Sequence, residues 1–543
     1  MELSLVWIVV CFSKTCYMDV CLIRPPRFLD KGATYVSNTP ALGLAYIAGA
    51  IKEAGHKVIV IDAIGESPQE FNPIDFKLNL NKPLPKDRLF TNGLNAEEIA
   101  ERIPDSIQVI GISAMFTNNW LFDRHLIDFL GERFPHAKII AGGESITAMA
   151  EMSITQTKHL DVCVLGEGEE TIVELLDAFA GKTDLNHVQG IAYRDNETGK
   201  TIFTERRTRL KVLDQISAPA WEYFPMENYQ KYDIKWGLTQ QKSIPVLATR
   251  GCPYSCTFCS SPLMWGTRYY MRTPQQVVDE MQYMKTTYGI TNFDFYDLTA
   301  IIKKDWILSF TYEIINRDLN ITWQLPVGTR SEVIDAEVAR NLYKSGCRNI
   351  VYAPETGSPK MLGLIKKKVK IPNMLQSMEY SNKENLFIYI NMILAMPDET
   401  HKDIWRTIWF LIQCSWYGVN DISLAIFHPY PGSVLFDRMI KENKLDLSSD
   451  DFFIDLVFLD SFGKSRYFND LVSVNWYNFY ELFCLFAFFS SNYLFRPMRF
   501  VKTVRNILTQ KYEHRVERSL MRYLKQKAEK QGIIKPKVLE PQV

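Results

Sequence analysis

A run of three closely spaced cysteines constrains this chain more than any other feature. Cys252, Cys256 and Cys259 follow one another with three and then two residues between them. Residues 244–249 before them are mostly apolar and predict a buried strand, and the Gly-Cys-Pro sequence at 251–253 predicts a turn. Three thiolates on one loop can face a single point, and they would leave one iron of a [4Fe–4S] cluster open. The spacing therefore predicts an iron–sulfur cluster on a loop at the carboxyl end of a strand.

A zinc site is the alternative for the same cysteines. Zinc sites usually pair two C-x2-C units or add a histidine that is close in sequence. The nearest histidines here are His187 and His401, both remote from the cysteines. We therefore favour the cluster over zinc.

The cysteine motif, with Phe258 directly before its third member, resembles the radical S-adenosylmethionine (SAM) superfamily. The resemblance implies that Cys252, Cys256 and Cys259 bind the cluster and that Phe258 lies beside SAM. It also implies that the open iron chelates SAM and that reduction cleaves it to a 5′-deoxyadenosyl radical. Such a cluster needs a reducing compartment and an external electron donor such as flavodoxin or ferredoxin, so we expect a cytoplasmic protein.

Length and charge limit the remaining possibilities. The 543 residues exceed what one hydrophobic core usually holds, so two or three domains are expected. The 62 basic residues are balanced by 62 acidic ones, which leaves no bulk electrostatic case for a nucleic acid partner. We divide the chain into an extension or mis-called start (1–17, with Met18 as the natural start), a Rossmann-like domain (18–200), a linker (201–242), a barrel domain (243–436) and a C-terminal helical domain (437–543).

Residues 18–200 alternate between strand and helix patterns, which predicts a doubly wound α/β sheet. One interpretation is a Rossmann-like domain that binds no nucleotide and uses its glycines only for turns. However, the segments 40–48, 54–58, 141–143 and 165–169 resemble the cobalamin-binding domain that precedes many radical SAM domains. The resemblance implies that cobalamin lies on the strand ends, whereas His56 reads as a surface turn residue and is not a ligand candidate. The residues expected to line the cofactor are Ser113, Ala114, Met115, Gly142, Gly143, Glu144, Gly166 and Glu167.

Six further strand patterns between residues 243 and 432 fit a partial (β/α)6 barrel of the TIM type, the fold of the radical SAM family. The resemblance implies SAM contacts from Asp297, Arg330 and Glu355 at successive strand ends. For Glu355 a helix-capping carboxylate is an equal alternative. The fifth strand end reads Ala395-Met396-Pro397-Asp398-Glu399-Thr400, which lacks both glycines of the family's G-x-P-G-E-T motif. At the sixth, His428 and Tyr430 either face substrate or pack the barrel mouth.

Beyond the barrel the chain becomes helical and strongly aromatic between residues 476 and 489. A helix buried on the other domains is the favoured interpretation, an interfacial helix anchored by the following arginines is second, and a membrane span is the least favoured. We expect an aromatic stripe to close the barrel mouth and to suit an apolar substrate. The stripe consists of Trp476, Phe479, Phe483, Phe486 and Phe489.

These resemblances together imply a cobalamin-dependent radical SAM methyltransferase that acts on an unactivated carbon of a small metabolite, natural product or lipid. One SAM would methylate cob(I)alamin, and a second would give the radical that takes a hydrogen from the substrate. The alternative among enzymes is a cobalamin-dependent radical enzyme that catalyses cyclisation, rearrangement or carbon–carbon coupling. The alternative outside enzymes is a non-catalytic cobalamin or redox sensor. The sequence identifies neither the substrate nor a catalytic residue.

Overall fold

The computed structural model describes residues 17–31, 39–85, 88–195, 197–231, 242–460 and 466–509. The residues before Tyr17, which the hypothesis of a start at Met18 would remove, lie outside this set. Within it the predicted fold class is confirmed: an α/β domain, a β/α barrel and a helical C-terminal region follow one another.

The first domain is built on a seven-stranded sheet covered by helices. Its strands, together with those of a small three-stranded sheet, are β1 (Asp19–Arg24), β2 (Arg27–Asp30), β3 (Lys57–Asp62), β4 (Phe71–Pro73), β5 (Leu89–Asn92), β6 (Val109–Ser113), β7 (Lys138–Gly142), β8 (Val162–Val164), β9 (Ile191–Arg194) and β10 (Thr201–Phe203). Its helices are α1 (Leu42–Glu53), α2 (Ala63–Glu66), α3 (Ala96–Glu101), α4 (Trp120–Arg133), α5 (Glu144–Gln156) and α6 (Glu169–Phe179).

The strand order in the large sheet is β10-β9-β8-β7-β6-β1-β3. Five neighbouring strands of this sheet run parallel: β3, β1, β6, β7 and β8. Their central residues are buried on both faces, as expected where helices cover a parallel sheet. The order reverses beside β1, and ligands of doubly wound sheets bind at the carboxyl edge near such a point. β10 continues the sheet beyond the boundary predicted at residue 200.

The second domain is a six-stranded parallel sheet whose strands lie side by side in sequence order. A short helix, α7 (Met226–Lys231), precedes it. Its strands, with the short pair β12 and β13, are β11 (Ser243–Val246), β12 (Thr249–Arg250), β13 (Tyr270–Met271), β14 (Asn292–Phe295), β15 (Thr322–Thr329), β16 (Cys347–Glu355), β17 (Phe387–Leu394) and β18 (Asp421–Ile426). Its helices are α8 (Ser261–Trp265), α9 (Pro274–Tyr288), α10 (Lys304–Asn316), α11 (Ala336–Lys344), α12 (Pro359–Leu364), α13 (Ile371–Lys383), α14 (His401–Tyr417) and α15 (Val434–Lys441). This is the predicted partial (β/α)6 barrel.

Three helices complete the described chain: α16 (Asp451–Val457), α17 (Val474–Phe495) and α18 (Pro497–Thr509). The segment at α16 returns to the first domain, where Asp450 forms an ion pair with Arg124 at 3.0 Å. In contrast, α17 packs along α14 on the outside of the barrel. No helix among the described residues is both long enough and apolar enough to cross a membrane.

The prediction that the aromatic stripe of α17 closes the barrel mouth is wrong. The buried side of α17 is formed by Tyr477, Tyr480, Cys484 and Phe488, which contact α14. Trp476, Phe479 and Phe486 are 50%, 45% and 66% exposed. A helix that is apolar on all sides does not reveal from sequence which side it buries.

Candidate functional site

The cysteines lie on a tight loop, residues 251–260, that begins where β12 ends. Gly251 has a φ of 89°. A Cβ at this position would come within 2.2 Å of the Arg268 carbonyl oxygen, so the turn requires glycine. The Cys259 amide donates to the Cys256 carbonyl oxygen at 3.2 Å and keeps the second and third cysteines on one turn. All three thiols are free and partly buried.

The surroundings of the loop shift the pKa values of the thiols in opposite directions. Burial raises the pKa of Cys256 and Cys259. Lys367 counteracts this effect at Cys256, and a hydrogen bond from Ser261 counteracts it at Cys259. Iron binds thiolates rather than thiols, so Lys367 and Ser261 favour the form that a cluster needs.

The donor set fits a cluster better than a single ion. Within the described ranges, no three His, Cys, Asp or Glu side chains are placed to share one metal ion. A cubane cluster spreads its thiolate ligands over separate iron atoms, so its cysteines stand further apart than the ligands of one zinc ion. Four other cysteines are buried in elements away from this loop: Cys163 in β8, Cys347 in β16, Cys414 in α14 and Cys484 in α17.

Asp297 follows β14 and is directed at the backbone before the cysteine loop. Its carboxylate accepts from the Ala248 amide at 3.2 Å and from the Thr249 hydroxyl at 2.5 Å. Burial raises the pKa of Asp297 to about 6. The residue therefore fixes the start of the loop, and its contact with SAM stays a prediction.

Arg330 follows β15 and packs on the cysteine loop itself. Its guanidinium carbon lies 4.0 Å from the centroid of the Tyr254 ring, a cation–π contact. It also forms an ion pair with Glu332 at 2.6 Å and donates to the Lys368 carbonyl oxygen. Its Nε is buried without a hydrogen-bond partner, which leaves one donor for a bound molecule.

Glu355 ends β16 and pairs with Lys367 at 2.7 Å. The Lys367 ammonium lies 6.0 Å from the Phe258 ring centroid, so this pair borders the cysteine loop. The helix-capping alternative for Glu355 does not hold, because the Ser358 side chain caps α12 by accepting from the Met361 amide. The ribose contact predicted for Glu355 remains untested.

The fifth strand end keeps a glycine-like backbone although it has lost both glycines. Ala395 has a φ of 63° and Asp398 a φ of 66°, a region that non-glycine residues rarely adopt. The conformation of Asp398 is held by a bidentate ion pair with Arg438, with oxygen–nitrogen distances of 2.5 and 3.0 Å. The turn therefore keeps two left-handed residues without glycine, at a backbone strain of about 1–2 kcal/mol per residue.

Glu399, next in this turn, was not singled out by the sequence. One oxygen of its fully buried carboxyl accepts from the Ala395 amide at 2.8 Å and from the Tyr477 hydroxyl at 3.3 Å. The other oxygen has no hydrogen-bond partner. Burial raises the pKa of Glu399 to about 8, so the carboxyl is protonated at neutral pH.

His428, beyond β18, is a further buried polar group with unpartnered atoms at this end of the barrel. Only 4% of it is exposed, and neither ring nitrogen has a hydrogen-bond partner. Its ring packs edge to face on Phe468 at 5.5 Å. Burial lowers the pKa of His428 to about 4, so the imidazole is neutral.

The predicted cobalamin-lining residues come together at the carboxyl edge of the first sheet. Ser113 pairs with Gly142 across β6 and β7, and the Ala114 amide donates to the Gly142 carbonyl oxygen at 2.9 Å. Gly143 has a φ of 120°, and a Cβ there would lie 2.7 Å from the Ala114 carbonyl oxygen. Beside these turns Met115 is 41% exposed. Backbone groups and exposed apolar side chains of this kind suit a large, flat ring system.

Gly166 joins this edge through its amide, which donates to the Thr147 hydroxyl at 3.0 Å. Glu167, in contrast, is engaged by two arginines, Arg209 at 3.0 Å and Arg250 at 3.1 Å. His56 is buried, and its Nδ1 accepts from the Met18 amide at 3.1 Å, so it is not the surface residue expected.

The two strand-end edges meet each other. Glu144, first in α5, accepts a hydrogen bond from Ser260 on the cysteine loop at 2.5 Å. Arg250, directly before that loop, pairs with Glu167 at 3.1 Å and with Glu169 at 2.5 Å. The predicted cobalamin edge thus borders the predicted cluster loop.

Two protein families match the two domains. The B12 binding domain family matches residues 31–176, and the radical SAM superfamily matches residues 246–411. The second match contains all three cysteines of the loop. The chain belongs to the radical SAM enzymes that carry a B12-binding domain. Its cofactors are accordingly a [4Fe–4S] cluster, SAM and cobalamin.

Three relatives of this radical SAM enzyme span most of its length. It is 26% identical over 429 residues to an uncharacterized methyltransferase of Pyrococcus horikoshii, covering 79% of this chain and 84% of the relative. It is 26% identical to the cytidylyl-2-hydroxyethylphosphonate methyltransferase of Streptomyces wedmorensis, covering 79% and 83%. It is 25% identical to the anaerobic magnesium-protoporphyrin IX monomethyl ester cyclase of Rubrivivax gelatinosus, covering 78% and 70%.

A solved structure shares the fold. The radical SAM methyltransferase TsrM from Kitasatospora setae, bound to cobalamin and a [4Fe–4S] cluster, superposes with a TM-score of 0.59 at 16% identity, covering 79% of this chain and 78% of that one. The fold is therefore shared with this radical SAM methyltransferase.

Proposed function

We propose that this cobalamin-dependent radical SAM enzyme is a methyltransferase that places a methyl group on an unactivated carbon of a small metabolite, natural product or lipid. The observation that carries the proposal is the meeting of the two strand-end edges, through Glu144 with Ser260 and Arg250 with Glu167 and Glu169. Methyl capture by a substrate radical needs the methyl donor and the radical source close together.

Named groups of the chain would hold each cofactor. Cys252, Cys256 and Cys259 would hold the cluster, and the turns after β6, β7 and β8 would hold cobalamin. When bound, the cluster with SAM supplies a hydrogen-abstracting radical, and cobalamin supplies the methyl group. The protein contributes position: Gly251 sets the loop, Asp297 fixes its start, and Arg330 packs on Tyr254.

The barrel end offers neutral polar groups for a substrate. His428 is uncharged, and burial raises the pKa of Glu399 to about 8. Both have hydrogen-bonding atoms without a partner, and both are shielded from water. We assign them to orientation of a substrate polar group, because a buried polar atom that stays unpaired is unfavourable.

The exposed side chains around the meeting point suit an apolar molecule. Phe116, Leu263 and Tyr430 are large and 39–63% exposed. A Cβ on Gly432 would contact both Leu263 and Ala148, so the sixth strand end lies against both domains here. The aromatic stripe of α17, which suggested an apolar substrate from sequence, gives no support, since it faces outward.

The test is anaerobic reconstitution with cluster, cobalamin and SAM, followed by assay of two products from SAM. Methyl transfer predicts both 5′-deoxyadenosine and S-adenosylhomocysteine, with label from methyl-deuterated SAM in the product. Cys256→Ala is the control and should form no 5′-deoxyadenosine. Neither product from the loaded wild type would instead favour a cobalamin or redox sensor.

A cyclase is the second candidate, because the relative from Rubrivivax gelatinosus is a cyclase at nearly the same identity as the methyltransferases. It predicts 5′-deoxyadenosine without S-adenosylhomocysteine in the same assay. In either case we assign the enzyme to the cytoplasm and expect an electron donor such as flavodoxin or ferredoxin, because the cluster has to be reduced.

A further inference from the structure

The outer surface of α14, α17 and α18 carries large apolar side chains that no other described part of the chain covers. On α14, Trp405, Trp409 and Trp416 are 50–63% exposed. They are four and seven residues apart, which places them on one side of the helix. We call these three residues, together with Trp476, Phe479 and Phe486 of α17, the aromatic face.

The aromatic face is continuous from one helix to the next. The Trp405 ring lies 5.5 Å from Phe483, which in turn lies 5.4 Å from Phe479. At the other end, the Trp416 ring lies 5.1 Å from Phe495. Contiguous apolar patches of this kind are uncommon on soluble monomers and indicate an interaction surface.

α18 extends the same surface. Met498, Val501 and Leu508 are 55–78% exposed at helical spacing. The ring of Phe500 lies 5.4 Å from Tyr493 of α17, which connects this helix to the one before it. The exposed surface therefore runs over three helices.

The charge beside this surface is positive. Residues 474–509 contain four basic residues, Arg496, Arg499, Lys502 and Arg505, and one acidic residue, Glu481. Burial raises the pKa of Glu481 to about 7, so even this negative charge is partly suppressed at neutral pH. Among the contacts the structure describes, Arg496 and Arg499 donate to backbone carbonyl oxygens at and just after the end of α14, and Arg499 also donates to the Asn492 side chain of α17; neither arginine binds a carboxylate.

We propose that the aromatic face docks on the surface of an anionic lipid bilayer, with α17 and α18 lying in the plane of the interface. Tryptophan favours the headgroup region, and basic residues beside an apolar surface attract anionic headgroups. A second copy of the chain fits less well, because a symmetric contact would bring the two sets of arginine and lysine together. Docking does not depend on the proposed methyl transfer.

Docking would also place the barrel mouth near the lipid. α17 begins beside the fifth strand end, where the Tyr477 hydroxyl donates to Glu399. His401 at the start of α14 bonds to the Tyr480 hydroxyl at 2.8 Å. Tyr477 and Tyr480, on the buried side of α17, therefore connect this helix to the turn at residues 395–400 and to the start of α14.

The experiment is co-sedimentation of the reconstituted full-length holoenzyme with vesicles. Vesicles of phosphatidylcholine with phosphatidylglycerol are compared with vesicles of phosphatidylcholine alone. We expect binding to the anionic vesicles to be at least about 10-fold tighter and to weaken at high salt, because each basic residue near the surface strengthens binding about 5-fold.

Two double variants separate the contributions of the aromatic residues and of the basic residues to vesicle binding. The double variant Trp409→Ser, Phe486→Ser should lose binding by about 10-fold or more, and Lys502→Glu, Arg505→Glu should lose the preference for anionic lipid. The matched control is Tyr283→Ser, Tyr312→Ser, which removes two exposed aromatic rings from α9 and α10 and should bind like the wild type. Since all these positions are exposed, unchanged thermal unfolding checks that each variant is folded.

Three results would overturn the proposal. The first is no binding by the wild type, or equal binding to neutral and anionic vesicles. The second is a dimer in light scattering that Trp409→Ser, Phe486→Ser abolishes, which would make a second copy the occupant. The third is protection of Trp409 and Phe486 from oxidative footprinting in the lipid-free protein, which would show that the chain itself covers the face.

Discussion

At the residue scale, Glu399 and His428 are two buried ionisable groups with opposite effects of pH on stability. Burial raises the pKa of the Glu399 carboxyl to about 8 and lowers the pKa of the His428 imidazole to about 4. Both groups are therefore neutral in the folded protein at pH 7. The folded state loses stability at any pH where the group is charged in the unfolded chain but stays neutral in the fold.

Glu399→Gln tests the carboxyl. The raised pKa stabilises the fold most below the ordinary value near 4.5, and this contribution declines as the pH rises toward 8. Gln keeps an oxygen for the Ala395 amide and does not titrate. From about pH 5 to about pH 8, the wild type should lose a few kcal/mol of unfolding free energy relative to the variant, measured by urea denaturation. A constant difference across this range would mean that Glu399 is ionised in the fold.

His428→Gln should show the reverse trend. The depressed pKa gives stability that is complete above the ordinary value of 6.5 and is lost as the pH falls toward 4. Between about pH 7 and about pH 4, the wild type should therefore lose about 3 kcal/mol relative to the variant in the same urea titration. Parallel curves for the two proteins would contradict the buried, neutral imidazole.

The sequence predicted some of these site residues and not others for a physical reason. Cys252, Cys256 and Cys259 are close in the chain, so their spacing alone brings them together. The sequence named His428 but left two roles open for it, and it did not single out Glu399. The surroundings of Glu399 depend on Tyr477 and those of His428 on Phe468, which are 78 and 40 positions away in the chain. Desolvation depends on such distant neighbours, which no local pattern encodes.

At the element scale, strand and helix periodicity predicted both sheets, whereas it could not orient α17. Strands buried on both faces are recognisable because their neighbours in a parallel sheet are fixed by the fold. A helix that is apolar on every side can turn any of them inward. The contacts with α14, through Tyr480 and Cys484 among others, decide the question only in three dimensions.

Two phenylalanines on α17 test this orientation. Phe488 is fully buried against α14, and Phe486 is 66% exposed two residues earlier. Phe488→Ala should cost about 3–5 kcal/mol of unfolding free energy, because it removes a buried ring and leaves a cavity. Phe486→Ala should change stability by about 0.5 kcal/mol or less. Equal effects of the two changes in chemical denaturation would show that α17 is turned differently.

At the scale of the whole molecule, the two domains are joined where their strand ends meet. The sequence predicted the domains and the residues on each edge, since both follow from patterns within one domain. No pattern within one domain predicted the ion pairs that join the two domains. In the linker, Arg207 pairs with Glu170 at 3.4 Å and Arg209 with Glu167 at 3.0 Å, and each arginine side chain is only 12% exposed, although a run of charged residues is usually solvated.

Arg250→Met tests whether this joint holds the enzyme together. Arg250 is 5% exposed and binds Glu167 and Glu169 of the first domain, so its loss leaves buried carboxylates without a full set of partners. We expect a loss of about 3–5 kcal/mol and a melting curve that separates into two transitions, one for each domain. Less methylated product should form per 5′-deoxyadenosine, because the two cofactor edges no longer stay in register.

Arg317→Met is the matched control for this joint. Arg317 also binds two carboxylates, Asp279 at 2.5 Å and Glu313 at 2.7 Å, but it lies within the barrel domain and is 26% exposed. Its removal should cost about 1 kcal/mol or less and leave one melting transition, because solvent screens an ion pair near the surface. If Arg250→Met and Arg317→Met behave alike in calorimetry and in the product ratio, the Arg250 ion pairs do not hold the domains in register, and other contacts such as that of Glu144 with Ser260 must do so.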